Sequence, residues 1–444
     1  MVFSYIKYLS PVWYFNLRSN KDWSYFPSSE QVKAAGLSLQ VDTQYQSQAA
    51  RERDLAYRAF QIGYINRDKE RDGLDIWEMA SLPTCDEYRF LRKNFNPIWV
   101  LYTLVLRILS FHNPIREIRG YWSSRDAQRE DYAAQAVSYP DYEKYESPLL
   151  KAQPLVSVII PTLNRYPYLK DVFRDLEKQT YPHFEVIVVD QTDPFDESVY
   201  QGWQLNLRYW YQEEKALWRA RNEAIQAAKG EYILLYDDDS LVDPDWIEHH
   251  LRALDFFNAD LSSGVSISTV GAKVPAHYAY FRWSDQLDTG NVLLKKDIFR
   301  QIGLFDRTFE GQRMGDGEFG LRAYLAGFRN VSNPKAKRVH LKVGSGGLRQ
   351  MGSWDAFRPK SFWAPRPVPS VLYLYRKYFG RKAAILALLK NVPPSLIPYQ
   401  FKQNKLLLIL GTLISVLLFP LILFQVAWSW RISTEQLNRA ECTQ

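Results

Sequence analysis

The apolar residues between positions 155 and 236 recur at two spacings, one typical of strands and one typical of helices. Three short runs have strand length: residues 155–160, 184–189 and 207–211. Between the first two runs, helical spacing is seen at Leu169, Val172, Phe173 and Leu176. Strands that alternate with helices predict an α/β fold with a mostly parallel, Rossmann-like sheet flanked by helices.

The stretch of residues 217–248 continues this pattern through a helix, a buried strand and a second helix. Small apolar residues at helical spacing precede Gly230, where we expect the first helix to end in a left-handed residue. Tyr232-Ile-Leu-Leu-Tyr236 has the length and composition of a buried strand. Asp243 and Pro244 then predict the N-cap and the first residue of the second helix.

Three consecutive carboxylates, Asp237, Asp238 and Asp239, follow this strand at its carboxyl end. Open α/β sheets bind their ligands outside the carboxyl ends of the strands. Because like charges this close repel one another, a hard divalent cation with oxygen ligands is the expected neutralising partner. The pattern indicates a metal bound to a phosphorylated ligand, and a solvated Asp-rich turn is the alternative.

The composition permits a globular core together with one or two further regions. The chain has 444 residues, of which 46% are hydrophobic and 24% charged. Its two cysteines, Cys85 and Cys442, lie far apart, so no disulfide framework is implied and a reducing compartment is expected. No Gly-x-Gly-x-x-Gly follows the first strand and no Gly-x-x-x-x-Gly-Lys-Ser/Thr is present, which disfavours a dinucleotide site and a P-loop.

Residues 1–150 are predicted to form an N-terminal, mostly helical region that contains no chemical motif. Two helical patterns of mixed charge lie at residues 44–64 and 67–79. Residues 97–111 are mostly apolar and too short for a clean span, so an interfacial membrane helix and a buried core helix are both open. Residues 116–151 are charged and Tyr-rich and predict a helical linker.

The C-terminal part is basic at first and then apolar. The chain has a formal net charge of +7, and residues 356–434 contain no Asp or Glu. Residues 356–405 therefore predict a basic amphipathic juxtamembrane region.

An uncharged, mostly apolar run at residues 406–430 is long enough to span a bilayer. Trp428 and Trp430 lie at its end, where interfacial aromatic residues occur. Pro420 leaves a kinked span and a re-entrant hairpin open, and residues 431–444 form a tail. This C-terminal segment predicts a membrane partner and no nucleic acid.

Four pieces of the central region occur in a specific order and spacing. They are Val156-Ser-Val-Ile-Ile-Pro-Thr-Leu-Asn-Arg165, Val186-Ile-Val-Val-Asp190, Ala220-Arg-Asn222 and Asp237-Asp-Asp239. Together they resemble the nucleotide-sugar half of a family 2 inverting glycosyltransferase with the GT-A fold, of the membrane-associated bacterial type. The resemblance implies a catalytic domain at residues 154–355.

The resemblance also implies roles for single residues of the donor half. It places Pro161, Thr162 and Arg165 in the nucleotide pocket. It implies that Asp190 accepts a hydrogen bond from the base and that Arg221 lies near the nucleotide, although Arg221 could also pair with a surface acid.

The family's Asp-x-Asp motif falls on Asp237 and Asp239, with Asp238 in the middle. In the family these carboxylates meet the ribose and a metal on the diphosphate. The resemblance therefore implies that Asp237 and Asp238 bind the nucleotide sugar and that Asp239 binds Mn²⁺ or Mg²⁺.

Three further pieces resemble the acceptor half of the family. They are residues 288–297, 302–309 and Met314-Gly-Asp-Gly-Glu-Phe-Gly-Leu-Arg322. Family members commonly carry Glu-Asp before this last helix, with the Asp as general base. Here Gly315 stands in place of the Glu and Asp316 keeps the Asp position.

Asp316 is the expected catalytic base, because inverting transfer is one displacement in which a carboxylate takes the proton of the acceptor hydroxyl. The alternative is that Asp316 only caps a helix at residues 317–326. Glu318 is the second candidate for the base.

His340 matches a histidine that the family often places after the acceptor helix, where it completes the metal site; a structural histidine is the alternative. Lys337, Arg338 and Lys342 could hold the diphosphate or form a solvated basic loop. Processive members carry Gln-x-x-Arg-Trp further on, a pattern that residues 349–354 do not fit. We therefore expect addition of a single sugar.

The sequence thus predicts a transferase that moves one sugar from a nucleotide-diphosphate donor, UDP-linked by expectation, to a glycan or lipid-linked acceptor in cell-surface polysaccharide or glycolipid assembly. We expect it at the bacterial inner membrane with the catalytic domain on the cytoplasmic face. The alternatives are a catalytically degenerate nucleotide-sugar-binding or scaffold protein and a metal-dependent phosphoryl-transfer or hydrolytic enzyme.

Overall fold

The computed structural model describes residues 1–21, 24–67, 73, 81–268, 274–343, 347, 356–359, 361–398, 401 and 404–441. Most of the predicted helix at residues 67–79, the motif at residues 349–354 and Cys442 lie outside the described residues. The helices before the first strand are α1 (Ile6–Leu9), α2 (Ser29–Ala34), α3 (Gln48–Gln61), α4 (Thr84–Asn94), α5 (Pro97–Leu109), α6 (Pro114–Ser123) and α7 (Pro148–Ala152).

The later helices are α8 (Tyr166–Leu176), α9 (Leu217–Ala227), α10 (Trp246–Phe256), α11 (Asp297–Ile302), α12 (Gly315–Leu325), α13 (Pro369–Tyr378), α14 (Gly380–Asn391), α15 (Lys405–Leu417) and α16 (Phe419–Glu441). The strands are β1 (Val156–Thr162), β2 (Phe184–Asp190), β3 (Leu207–Tyr211), β4 (Tyr232–Tyr236), β5 (Ser240–Val242), β6 (Leu261–Ser268), β7 (Arg282–Trp283), β8 (Asn291–Lys295) and β9 (Asn330–His340).

These strands form one mixed sheet in the order β3-β2-β1-β4-β8-β6-β9-β5, and β7 also pairs with β9. Strands β3, β2, β1 and β4 are mutually parallel, as predicted from the strand and helix pattern. Beyond β4, antiparallel pairings join β4 to β8, β8 to β6 and β9 to both β5 and β7. In this second half β6 and β9 pair in parallel, so the sheet is mixed, and the expectation of a mostly parallel sheet holds fully only for β3, β2, β1 and β4.

The three carboxylates Asp237–Asp239 are called the acidic tip from here on. The helix boundaries on either side of the acidic tip differ from the sequence prediction in two places. Gly230 does not end a helix, since α9 stops at Ala227 and Gly230 has no positive φ. A Cβ on Gly230 would lie 2.6 Å from the hydroxyl of Ser157, so the glycine permits close contact with β1. Helix α10 begins at Trp246, with Asp245 rather than Asp243 at its N-cap.

The N-terminal region packs into the same hydrophobic core as the sheet. Phe3 and Phe15 are buried in a cluster that continues through the strands to Ile422 in α16. The helical linker predicted at residues 116–151 is wrong as a continuous helix, because α6 ends at Ser123 and short 3₁₀ turns follow. Tyr142, in one of these turns, is buried with its ring 4.7 Å from that of Phe281, so this segment is held by aromatic packing.

The C-terminal apolar run is divided between two helices. Among the described residues no single helix is both long and apolar enough to cross a bilayer. The pair α15 and α16 together meets that length and composition, but the two axes are bent by 88° at the break near Leu418. Residues 406–430, for which the sequence leaves a kinked span and a re-entrant hairpin both open, therefore belong to a bent pair of helices.

We predict that Phe15→Ala lowers the stability of the whole chain. Phe15 is 2% exposed. Its ring centroid lies 4.7 Å from that of Tyr25, 4.9 Å from that of Phe60 and 5.3 Å from that of Tyr324. Loss of the ring should lower the free energy of unfolding by about 3–5 kcal/mol and the melting temperature by about 3–5 °C.

The matched control is Phe111→Ala, because Phe111 is 98% exposed. Calorimetry on both variants should show a shift for Phe15→Ala alone. Equal melting temperatures for wild type and Phe15→Ala would contradict the packing of the N-terminal segment into the core.

Candidate active site

Strand pairing brings His340 next to the acidic tip. The turn Asp237–Asp239 leads directly into β5, which pairs with the end of β9 so that Ser240 lies opposite His340. The imidazole Nε2 of His340 is 3.2 Å from Oδ1 of Asp239. Because side chains alternate along a strand, Arg338 shares this side of β9, whereas Lys337 is exposed and pairs with Asp243 at 3.2 Å.

Two buried arginines hold Asp237 from opposite elements. Arg221 of α9 donates to its Oδ1 at 2.9 Å, and Arg338 of β9 donates to its Oδ2 at 2.8 Å. Arg338 also donates to Asp288 at 2.8 Å. Burial opposes the charge of Arg338, but Asp288 and Asp237 hold its pKa above the ordinary value.

Gly290 permits this arrangement. A Cβ at Gly290 would lie 2.1 Å from Nη1 of Arg338 and 2.2 Å from Oδ2 of Asp237. Any side chain at this position would therefore separate the two ionic partners.

Thr162 and Arg165, at the end of β1, hold the other two carboxylates. Asp238 accepts hydrogen bonds from Thr162 at 2.7 Å and from Arg165 at 2.9 Å. Burial raises the pKa of Asp238 to about 6 against the opposing effect of Arg165. Burial also acts to raise the pKa of Asp239, but the hydrogen bond with His340 and the Arg165 charge hold it below its ordinary value.

The donor set suits a divalent cation. Carboxylate oxygens of Asp237 and Asp239 and a ring nitrogen of His340 all lie within 4.8 Å of one another. The cluster contains four carboxylates, those of Asp237–Asp239 and Asp288. They form ion pairs with three guanidinium groups, those of Arg165, Arg221 and Arg338. The formal net charge of the cluster is therefore −1. Carboxylates suit Mn²⁺ and Mg²⁺, and an imidazole in the set favours Mn²⁺ because Mg²⁺ prefers oxygen ligands.

Asp190 lies at the end of β2, beside the end of β1. In the parallel register Pro161 faces Val189 and Thr162 faces Asp190, so these residues meet at the carboxyl edge of the sheet. Asp190 is fully buried and accepts hydrogen bonds from the Tyr166 and Tyr200 hydroxyls, both at 2.7 Å. A nucleobase that donates a hydrogen bond to Asp190 would have to share this carboxylate with two tyrosine hydroxyls.

A cleft of about 560 Å³ joins the end of β9 to the start of α12. Asp316 lines it together with Arg338 and His340. Met314, in the left-handed conformation, is the N-cap of α12, and Asp316 is the second residue of the helix. Oδ1 of Asp316 accepts a hydrogen bond from the N–H of Gly317 at 2.8 Å, and the side chain is half-buried.

Glu318, the second candidate for the base, has a different environment. It is buried, forms an ion pair with Arg322 at 2.8 Å and accepts a hydrogen bond from the Tyr378 hydroxyl. It does not line the cleft. The geometry therefore favours Asp316 over Glu318.

The indole of Trp218 explains the departure at Gly315 from the Glu-Asp pattern. A Cβ on Gly315 would lie 2.4 Å from Cζ2 and 2.6 Å from Cε2 of that indole. Trp218 is fixed by a hydrogen bond from Nε1 to the carbonyl of Phe309 at 3.1 Å and lines the same cleft. The ring thus occupies space next to Asp316 that a glutamate side chain would need.

Sequence reasoning missed the part that the N-terminal segment plays. Val12, Trp13 and Tyr14 line the cleft. Nε1 of Trp13 donates to Asp285 at 2.7 Å, and the Tyr14 hydroxyl donates to the carbonyl of Gly317 in α12. No local signal reveals these contacts, since they join residues about 300 positions apart.

Comparisons with known proteins identify relatives of the central part of the chain. Residues 157–313 match the sequence profile of glycosyl transferase family 2. An uncharacterized glycosyltransferase of Rickettsia typhi is 29% identical over an alignment of 177 residues, and the match covers 35% of this chain and 55% of that protein. Glycosyltransferase GlyG of Streptococcus pneumoniae serotype 4 is 34% identical over 115 residues, 25% of this chain and 38% of the relative.

A crystal structure of S. aureus TarS in complex with UDP-GlcNAc aligns with 64% of this chain and 92% of its own, at 17% identity and a TM-score of 0.43. The chain spans about half or less of the length of the two curated relatives. The profile match confirms a family 2 glycosyltransferase domain at residues 157–313, which includes Asp190, Arg221 and the acidic tip, whereas Asp316 and His340 lie beyond it.

We predict that Gly315→Ala destabilises the protein by about 1–3 kcal/mol because the added methyl overpacks against Trp218. The matched control is Gly317→Ala in the same helix, where a Cβ would meet neighbours only at 3.5 Å or more. Alanine there should instead raise stability by up to about 1 kcal/mol through its helix propensity.

Urea denaturation measures both variants. In a Trp218→Ala background the cost of Gly315→Ala should disappear, since the partner in the clash is gone. An unchanged cost in that background would contradict the packing of Gly315 against the indole.

Proposed function

We propose that this chain, whose residues 157–313 are a glycosyl transferase family 2 domain of GT-A-like α/β fold, is a metal-dependent inverting glycosyltransferase. The observation that carries the proposal is the shared cleft, since Asp316 and His340 line one cavity and His340 forms a possible metal site with Asp237 and Asp239. A proton acceptor and a diphosphate site in one cleft are the two requirements of direct sugar transfer.

The donor is a nucleotide-diphosphate sugar, and a UDP sugar is the first to test. Its nucleotide occupies the carboxyl edge of the sheet, with Thr162 and Arg165 at the end of β1 and Asp190 at the end of β2. A divalent cation held by Asp239 and His340, with Asp237 beside them, offsets charge on the departing diphosphate when bound.

Asp316 removes the proton of the acceptor hydroxyl as that oxygen attacks the anomeric carbon. The bond from the anomeric carbon to the diphosphate breaks in the same step, so the configuration at that carbon inverts. Trp218 limits the space beside Asp316, and Trp13 and Tyr14 form the far wall against which the acceptor lies.

The acceptor is a glycan or a lipid-linked sugar of cell-surface polysaccharide or glycolipid assembly, to which the enzyme adds one sugar. The enzyme acts at the cytoplasmic face of the bacterial inner membrane, where nucleotide sugars are available. The acid-free, basic composition of residues 356–434 and the apolar helix α15 support a location at an anionic membrane.

We predict that Asp316→Asn lowers kcat by about 10²–10⁴-fold, because the amide cannot take the proton. The dissociation constant of the donor should stay within about twofold, since the substitution keeps the shape of the side chain. A coupled assay for released nucleoside diphosphate, run beside calorimetric donor binding, separates the two effects.

The matched control for this experiment is Asp297→Asn, at the exposed start of α11 and outside the cleft. It should leave both kcat and donor binding unchanged. Full activity of Asp316→Asn would show that Asp316 is not the base. If wild type binds a donor but does not turn it over, even with membrane lipid extract as acceptor, the non-catalytic binding protein would be favoured.

A second prediction concerns the metal. His340→Ala removes one of the three groups at the acidic tip, so Mn²⁺ affinity should fall by about 10-fold or more. Electron paramagnetic resonance of free Mn²⁺ measures this directly and needs no acceptor.

His183→Ala serves as the control, because His183 is exposed and hydrogen bonds to the carbonyl of Gln153. It should bind Mn²⁺ like wild type. Equal Mn²⁺ binding by His340→Ala and wild type would show that the imidazole is a structural group.

A further inference from the structure

Helix α5 is apolar on both of its long faces. Val100, Thr103 and Leu104 are buried against the protein. The opposite face carries a stripe of exposed aliphatic side chains at Ile98, Leu101, Val105 and Leu109. A helix that is hydrophobic all round is normally buried in a large core or in a membrane.

Helix α6 continues this surface with an amphipathic pattern. Ile115, Ile118 and Trp122 are exposed at helical spacing, and Ile115 is 77% exposed. Arg116 and Arg119 are exposed beside them. An apolar stripe flanked by basic residues is typical of helices that lie in a membrane interface.

Contacts with the C-terminal region extend the surface beyond α5 and α6. Lys390 of α14 lies 5.1 Å from the ring centroid of Trp99 in α5, and its ammonium donates to the carbonyl of Leu9. Ile385 and Leu389 are exposed on α14 together with Lys382.

Helix α15 packs on the turn that follows α14. A Cβ on Gly411 would lie 2.4 Å from Ile397, so the helix is seated closely there. Gly411 and Ser415 are its buried residues. Six aliphatic side chains of α15 are exposed: Leu406, Ile409, Leu410, Leu413, Val416 and Leu417.

We propose that the exposed aliphatic and aromatic side chains of α5, α6, α14 and α15 form one surface, here called the apolar face, that docks on an anionic lipid bilayer. The N-terminal and C-terminal regions thus join to hold the family 2 domain at the membrane surface. Phe111, in the turn between α5 and α6, also belongs to the apolar face. The helical members of the face are Ile98, Leu101, Val105, Leu109, Ile115, Ile118, Trp122, Ile385, Leu389, Leu406, Ile409, Leu410, Leu413, Val416 and Leu417.

Charge identifies a bilayer as the occupant. Across residues 97–123 and 356–434 the sequence contains a single acid, Glu117. That acid is buried and paired with Arg107 at 2.7 Å, so it does not repel lipid phosphates. The basic residues Arg116, Arg119, Arg381, Lys382 and Lys405 are exposed along the face and match anionic headgroups.

The geometry of α15 and α16 favours docking in the interface over a complete span. α15 has 13 residues, about 20 Å of helix, whereas a bilayer core is about 30 Å thick. α16 turns away by 88° and is fixed to the protein by polar contacts. In α16 the hydroxyl of Ser429 donates to the Pro367 carbonyl at 2.7 Å, and Arg376 of α13 donates to Ser433 at 2.6 Å.

Vesicle co-sedimentation of the full chain tests the proposal. The probe is phosphatidylglycerol/phosphatidylcholine vesicles, with pure phosphatidylcholine vesicles for comparison. The double variants Leu101→Glu/Val105→Glu in α5 and Leu413→Glu/Leu417→Glu in α15 should each lower vesicle binding at least about tenfold. Each variant removes two exposed aliphatic side chains that insert into the lipid and adds negative charge that anionic headgroups repel.

The matched control is Val41→Glu/Val274→Glu, two exposed valines outside the apolar face. This variant should bind vesicles like wild type. A further variant, Arg116→Gln/Arg119→Gln, should lose affinity for the anionic vesicles and not for the neutral ones. Circular dichroism confirms that each variant is folded.

Several outcomes would overturn the proposal. The apolar face would not be the lipid-binding surface if both helix variants bound vesicles as well as wild type does. The same conclusion would follow if the valine control lost as much vesicle binding as the helix variants. If a helix variant has a lower oligomeric mass than wild type and binds vesicles equally well, the apolar face would instead be assigned to contact with a second copy of the chain. Retention in native membranes after alkaline carbonate extraction would indicate a spanning segment.

This inference does not depend on the proposed activity. Donor binding measured in detergent solution should be the same for wild type and for both helix variants, because the apolar face is separate from the cleft. Loss of vesicle binding with intact donor binding supports the docking surface, whereas failure of donor binding in wild type concerns the glycosyltransferase proposal alone.

Discussion

The structure depends on the neutralisation of buried charge at the carboxyl edge of the sheet. A buried carboxylate without a partner costs several kcal/mol, and the tip brings two of them, Asp238 and Asp239, together with the half-buried Asp237. Their counter-charges come from Arg165 after β1, Arg221 in α9 and Arg338 in β9. These elements are far apart in sequence, so the ion pairs tie the two halves of the sheet together at the site where a diphosphate and a cation are proposed to bind.

Much of the donor half could be predicted from local patterns. The strand Tyr232–Tyr236 and the acidic tip follow from apolar run length, and α8 follows from the spacing of its buried residues. The pairing of β5 with β9 could not be predicted, because it joins residues 100 positions apart. For the same reason the sequence leaves Arg338 open between a diphosphate ligand and part of a solvated basic loop, whereas it lies buried between Asp237 and Asp288.

The regions outside the family 2 domain show the limits of sequence patterns more clearly. Residues 1–150 carry no motif, yet Tyr14 contacts α12 and lines the cleft, and Phe15 is part of the common core. The apolar run at residues 406–430 has the composition of a span, but the break at Leu418 divides it. Hydropathy measures composition over a window, whereas the bend and the buried polar face of α16 depend on tertiary contacts with residues 361–376.

The most direct test of the proposed chemistry is the anomeric configuration of the product. Nuclear magnetic resonance can follow a panel of α-linked UDP sugars incubated with full-length protein, Mn²⁺ and membrane lipid extract as acceptor. One-step displacement at the shared cleft predicts that one donor is consumed and that its sugar appears in a β-glycosidic linkage. An α-linked product would contradict a single displacement with Asp316 as base, and the absence of turnover for every donor would contradict the transferase itself.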